Sequence, residues 1–177
     1  MKNASLIKTL LVLSCLYSST YAQKNKAIYS VSINNKEDID KTSPYNSYYK
    51  IAQENSNQFT FHLIFSKDSS DFFINDNLEI EYHSFRMVKA FSRYQGFVRK
   101  TKSKTFIEKE IDNKTYILEE KTEYNWTLTT ENKKIGNYSC YKAITNKKTK
   151  NNNSIPIIAW YCPELAYQFG PNGYGNL

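Results

Sequence analysis

The residues with the most chemical potential are two thiols, Cys140 and Cys162, in the last third of a 177-residue chain. They lie in two apolar-aromatic runs, Tyr138–Thr145 and Ile155–Cys162, separated by a connection rich in Asn and Lys. Runs of this kind around a polar connection predict an antiparallel hairpin with a long loop. Centred near Asn151, the hairpin would set Cys140 opposite Cys162, Tyr141 opposite Tyr161 and Ala143 opposite Ala159. Opposed residues in an antiparallel pair have Cα atoms about 4.5–5.5 Å apart, inside the roughly 4.4–6.8 Å that a disulfide spans. Such a bridge would stabilise the chain by on the order of 3 kcal/mol through its unfolded state. Two separately buried thiols are the alternative. A catalytic cysteine is a third reading, without CxxC spacing or a neighbouring His to support it.

Other constellations are weaker. Glu79, Glu81 and His83 would share one face of a strand and offer three ligands to zinc, but helical spacing of the same residues breaks the cluster. Glu108, Glu110, Glu119, Glu120 and Glu123 supply carboxylates that could pair for glycoside hydrolysis, although strands with surface Glu and Lys usually mark a solvated face. His62 falls opposite the apolar face of its strand and reads as a satisfied histidine. Trp126, Trp160 and the tyrosines at 138, 141 and 161 could form an aromatic platform for sugars or peptides, yet strands favour these residues for packing alone. The sequence contains no nucleophile elbow, HExxH, phosphate loop or dinucleotide fingerprint. Gly170-Pro171-Asn172-Gly173 is a turn cluster and nothing more. No catalytic residue, metal ligand or cofactor is assigned.

The elements that must position these residues are mostly strands. Ala27–Ile33 alternates, and Phe59, Phe61, Leu63 and Phe65 alternate more cleanly. Ser47–Glu54 predicts a short helix with Tyr48, Ile51 and Ala52 on one side. Asn34–Pro44 reads as a loop, and Asp71–Phe91 is ambiguous between helix and strand. Gly96–Lys100, Thr105–Ile111, Thr115–Glu119 and Trp126–Thr130 are short β-prone runs, with Asp112-Asn113-Lys114 as a hairpin connection. The expected fold is mainly β (α+β): a curved antiparallel meander with one or two short helices packed against it.

Trp126, Glu131, Ile135, Gly136, Tyr138, Cys140, Lys142 and Ala143, then Ala159, Trp160 and Tyr161, then Gly170 and Pro171, form a spaced pattern. It resembles the C-terminal part of the GLPGLI family, secreted proteins of Bacteroidetes named for a motif near their C-terminus. The resemblance covers Trp126 to Leu177 well and the rest only in general layout. It implies export and supplies no mechanism. Where the family reads Gly-Leu-Pro-Gly-Leu-Ile, this chain has Asn176 and Leu177 and stops, so the expectation is a fragment or a domain lacking its terminal strand.

Residues 1–22 read as a secretory signal, with Lys2 and Lys8 before the Leu10–Leu13 run and cleavage expected between Ala22 and Gln23. A lipoprotein signal ending at Cys15 is the competing reading. Removing residues 1–22 from the 177 leaves 155, enough for one domain over 23–177 with a real core. No apolar run in the remainder is long enough to span a bilayer. Loss of the two signal lysines takes the net charge from +7 to +5. Only Arg86, Arg93 and Arg99 are arginines, which argues against a nucleic-acid partner. The expected place is the periplasm, the outer membrane or the exterior. The leading function is a non-catalytic binding module for an envelope lipid, peptide or glycan. An accessory partner of an outer-membrane protein or complex comes next, and an envelope glycan- or peptide-acting enzyme third.

Overall fold

In a computed structural model the described residues are 24–33, 43–75, 81–121, 124–148, 152–165 and 167–177. The signal reading over 1–22, the Ala22–Gln23 cleavage position, most of the 34–44 loop, Glu79 and Glu123 therefore lie outside them.

The first sheet follows from alternation. Strands β1 (Asn25–Ser30), β2 (Thr60–Phe65), β3 (Ser69–Asn75), β4 (Val98–Thr101), β5 (Thr105–Ile111) and β6 (Lys114–Glu120) pair antiparallel in chain order. Their registers align one transverse row, Ala27, Leu63, Phe72, Val98, Ile107 and Leu118. The central members of that row, with Phe61, form the main core. Phe61 stacks on Phe72 with ring planes 8° apart and centroids 5.6 Å apart. The β5–β6 hairpin turns at Asp112 and Asn113, with φ of 50° and 58°. Two consecutive positive φ angles are what a two-residue turn of matching twist requires, and Asp and Asn tolerate them best after glycine.

Helices α1 (Asn46–Asn55) and α2 (Tyr82–Phe91) interrupt this meander after β1 and after β3. They pack on each other and on the chain leaving β1, through Ile33, Tyr49, Ala52, Met87 and Phe91. The α1 face agrees with the expected one at Ala52, which is fully buried, and differs at Tyr48. Tyr49 is 7% exposed and Tyr48 is 43% exposed, because the helix meets Phe91 rather than the side that Tyr48 shares with Ile51. The ambiguity over 71–91 resolves into both elements: Asp71–Asn75 completes β3, and the helix starts at Tyr82. Glu81 is its N-cap and accepts from the backbone N–H groups of His83 and Ser84 at 2.8 and 2.7 Å. Its carboxylate thus satisfies two of the donors a helix N-terminus leaves open.

The second sheet is β7 (Thr127–Ile135), β8 (Tyr138–Lys148) and β9 (Ser154–Tyr161) in that order. The expected mainly β fold of antiparallel strands with two short helices is present, its strands divided between two sheets. The β7–β8 turn begins at Gly136, whose φ is 59°. The ladder slips between Leu128 and Asn132, where β7 carries extra residues. The β8–β9 register is the expected one: Tyr141 opposes Tyr161 and Ala143 opposes Ala159.

Gly96 has φ 117°, and a methyl group there would overlap the Glu108 carbonyl. Strain and overlap together should make Gly96→Ala lose about 3 kcal/mol, read as a lower denaturant midpoint at unchanged slope. A second test concerns Glu81, whose carboxyl is held below the usual range by the backbone N–H of Ser84 and then that of His83. A depressed folded pKa gives stability that is present above the ordinary carboxylate pKa and lost as pH falls through the folded one. Glu81→Gln should therefore flatten part of the acid-side fall in melting temperature.

Candidate functional site

The segment after β9 builds the site. Pro163–Leu165 forms a 3-10 turn, and residues 167–177 then run across the apolar face of the first sheet. A Cβ on Gly173 would stand 3.4 Å from the Val98 side chain and 3.6 Å from Thr105, so the segment lies against the core row. It folds on itself: Gly170 N–H donates to the Tyr174 carbonyl at 2.7 Å, and Asn176 N–H to that of Gln168 at 2.8 Å. Asn172 adopts φ 55° and its amide bridges outward, donating to the Arg93 carbonyl at 3.0 Å and accepting from Gln95 N–H at 3.4 Å. Gly170 and Pro171, read as a bare turn, thus open the loop that anchors this crossing segment.

Trp126 ties the second sheet to the same segment. Its indole N–H donates to the Gly175 carbonyl at 2.9 Å. Tyr124 and Tyr174 pack beside it, their ring centroids 4.7 Å apart. Burial pushes both phenols upward, and the proximity of Tyr174 and Glu120 pushes Tyr124 further. Lys100 donates to the Gly173 carbonyl at 3.2 Å, and burial lowers its ammonium pKa.

Between these parts lies a cavity of about 530 Å³. One wall is Ala27, Tyr29, Leu63 and Phe65 of β1 and β2; the other is β9 from Ile157 to Tyr161, with Cys162 and Leu165. Trp126, Phe169 and Tyr174 line it from the crossing segment and its tie, and Tyr167 meets Phe65 edge-on with centroids 4.6 Å apart. Strands β1 and β9 are each the outer strand of their sheet, so the cavity opens where two sheet edges face one another. Its walls are dominated by aliphatic and aromatic carbon. Such a space is suited to an apolar ligand and offers no paired acid and base.

The other sequence-derived residues are dispersed. Glu131 binds the Lys142 ammonium at 2.8 and 3.0 Å, across the irregular stretch of β7. Lys133 sits 4.1 Å above the Trp160 ring. Tyr138 and Tyr141 are exposed, and Tyr141 lies 6.1 Å from Tyr161. Of the proposed aromatic platform, only Trp126, Trp160 and Tyr161 reach the cavity. Glu108, Glu110 and Glu119 share the outer face of β5–β6, Glu119 being 3.2 Å from Lys104, while Glu120 points to the opposite face. His62 packs on Phe73 and burial lowers its pKa. Among the described residues no three His, Cys, Asp or Glu side chains gather to hold a metal. The cavity itself was missed by sequence reasoning, since its walls come from segments far apart in the chain.

A family model described as a protein of unknown function (Porph_ging) matches residues 126–156. That span runs from Trp126 through β7 and β8 into β9. No curated protein and no solved structure matches the chain.

A raised folded phenol pKa gives stability that is complete below the ordinary value near 10 and is lost as pH rises through the folded one. Melting temperature should therefore fall on the alkaline side as the Tyr124–Tyr174 pair ionises. In Tyr174→Phe that fall should be shallower, with one late-titrating phenol missing from the phenolate absorbance.

Proposed function

We propose that the chain is a non-catalytic binding module of the cell envelope that holds an apolar ligand, such as a lipid acyl chain, in the cavity between its two sheets. One observation carries this reading: an aromatic- and aliphatic-walled cavity of about 530 Å³ at facing sheet edges. Ligand sites are commonly of this size and mostly apolar, with few polar groups to fix orientation. A glycan would need hydrogen-bonding partners that these walls do not concentrate. Export is supported by the leader-like composition of residues 1–22. Assignment to the GLPGLI type is supported by the match over 126–156, a span that holds Trp126, Glu131, Gly136 and Tyr138.

A second reading, docking onto an outer-membrane protein, has one observation in its favour. The outer face of the six-stranded sheet carries Ile28, 61% exposed, and Ile117, 74% exposed, with Phe73 stacked on Phe97 between them. Apolar exposure of this kind is a mark of surfaces that meet partners.

Titration with the fluorescent fatty acid cis-parinaric acid tests the leading reading. Saturable binding is expected, weakened at least tenfold by Ala159→Trp on one wall and by Ala27→Phe on the other. Absence of saturable binding, or affinity in both filled variants equal to that of the unaltered chain, would overturn it.

A further inference from the structure

The β8–β9 ladder runs from Lys148–Ser154 to Tyr141–Tyr161, and one more step in the same register sets Cys140 opposite Cys162. Both thiols are free, Cys140 buried and Cys162 half-buried. By register they share one face of the second sheet with Lys133 and Trp160. The ladder cannot continue past this point, because Pro163 follows and has no N–H to donate. Cys162 is therefore where a strand lets go. Beyond it the chain turns through Pro163–Leu165 toward the segment that crosses the first sheet.

Position also separates the two thiols. Burial raises the Cys140 thiol, and its Sγ–H is directed to the Tyr138 carbonyl at 3.8 Å, so it is a poor first nucleophile. Cys162 lines the cavity and is the more accessible of the pair. Among the described residues no third ligand accompanies them, which leaves two-electron thiol chemistry rather than metal binding.

We propose that Cys140 and Cys162 form a cross-strand disulfide that fastens the end of β9, made by exchange with an external disulfide through Cys162 first. The Cys162 thiolate attacks one sulfur of the external disulfide, forming a mixed disulfide and releasing one thiol. Cys140, losing its proton, then attacks the Cys162 sulfur and releases the second thiol. Two protein thiols are oxidised and one external disulfide is reduced to two thiols, with two protons and two electrons transferred. Directly opposed positions of an antiparallel pair have Cα atoms about 4.5–5.5 Å apart, inside the roughly 4.4–6.8 Å that such a bond spans.

The test uses the full chain with oxidised glutathione as the external disulfide. Intact mass and peptide mapping after alkylation should show loss of two hydrogens and a Cys140–Cys162 linked peptide within one chain. The oxidised form should resist unfolding on the order of a hundredfold more than the reduced form, a difference absent in Cys162→Ser. The order of attack has its own readout. Cys140→Ser should accumulate a glutathione adduct on Cys162, whereas Cys162→Ser should leave Cys140 almost unmodified until the chain is unfolded. Cys140 and Cys162 both alkylatable after oxidation, or bonds only between chains, would overturn the proposal. Equal adduct formation on the two single variants would overturn the assigned order.

Discussion

Two sheets that share no strand cannot be joined by a hydrogen-bond ladder, so something else must hold one against the other. Here the joint is the run of residues 167–177, which lies on the core row of the first sheet and receives the Trp126 indole from the second. Its strength comes from different kinds of contact acting on a short length of chain. The indole and Lys100 satisfy the carbonyls of Gly175 and Gly173, and Tyr124 packs on Tyr174. Glycine is required at 173 by its backbone, since at φ 80° a side chain would be strained. Without this joint the apolar faces of both sheets would have to find other cover.

The cavity is a consequence of the same arrangement. Side chains of β1, of β9 and of the crossing segment line one common space. Neither strand has a second neighbour to bring its backbone closer. The walls are then whatever side chains the sheets present there, which alternation has already made apolar on β1 and β2. The cavity thus comes from geometry at the junction rather than from a motif.

This also explains which parts of the structure were legible in the sequence. The pairing of Tyr141 with Tyr161 and Ala143 with Ala159 could be read because period-2 alternation and like residue types fix one register of a local hairpin. Asp112-Asn113 could be read because few residues accept two positive φ angles. The division into two sheets could not, since alternation says which face is buried and not which strand lies beside it. Tyr48 was misplaced for a related reason: a ten-residue helix has two nearly equal apolar sides, and only Phe91 decides between them. The E-x-E-x-H spacing was undecidable until a helix start was known, and Glu81 then became its cap. The cavity walls were illegible because they join residues as distant as Ala27 and Leu177.

The matched stretch, 126–156, is best understood through what its polar residues do. Glu131 and Lys142 face each other across the slipped part of the β7–β8 ladder, and Lys133 rests on Trp160 two strands away. These contacts hold a three-stranded sheet in register where its longest strand pair is irregular. Gly136 makes the tight turn and Trp126 reaches back to the crossing segment. Each of these groups is engaged in the construction of the sheet, and none is left facing the cavity with an acid or base to spare. That pattern builds one wall of a space lined with carbon.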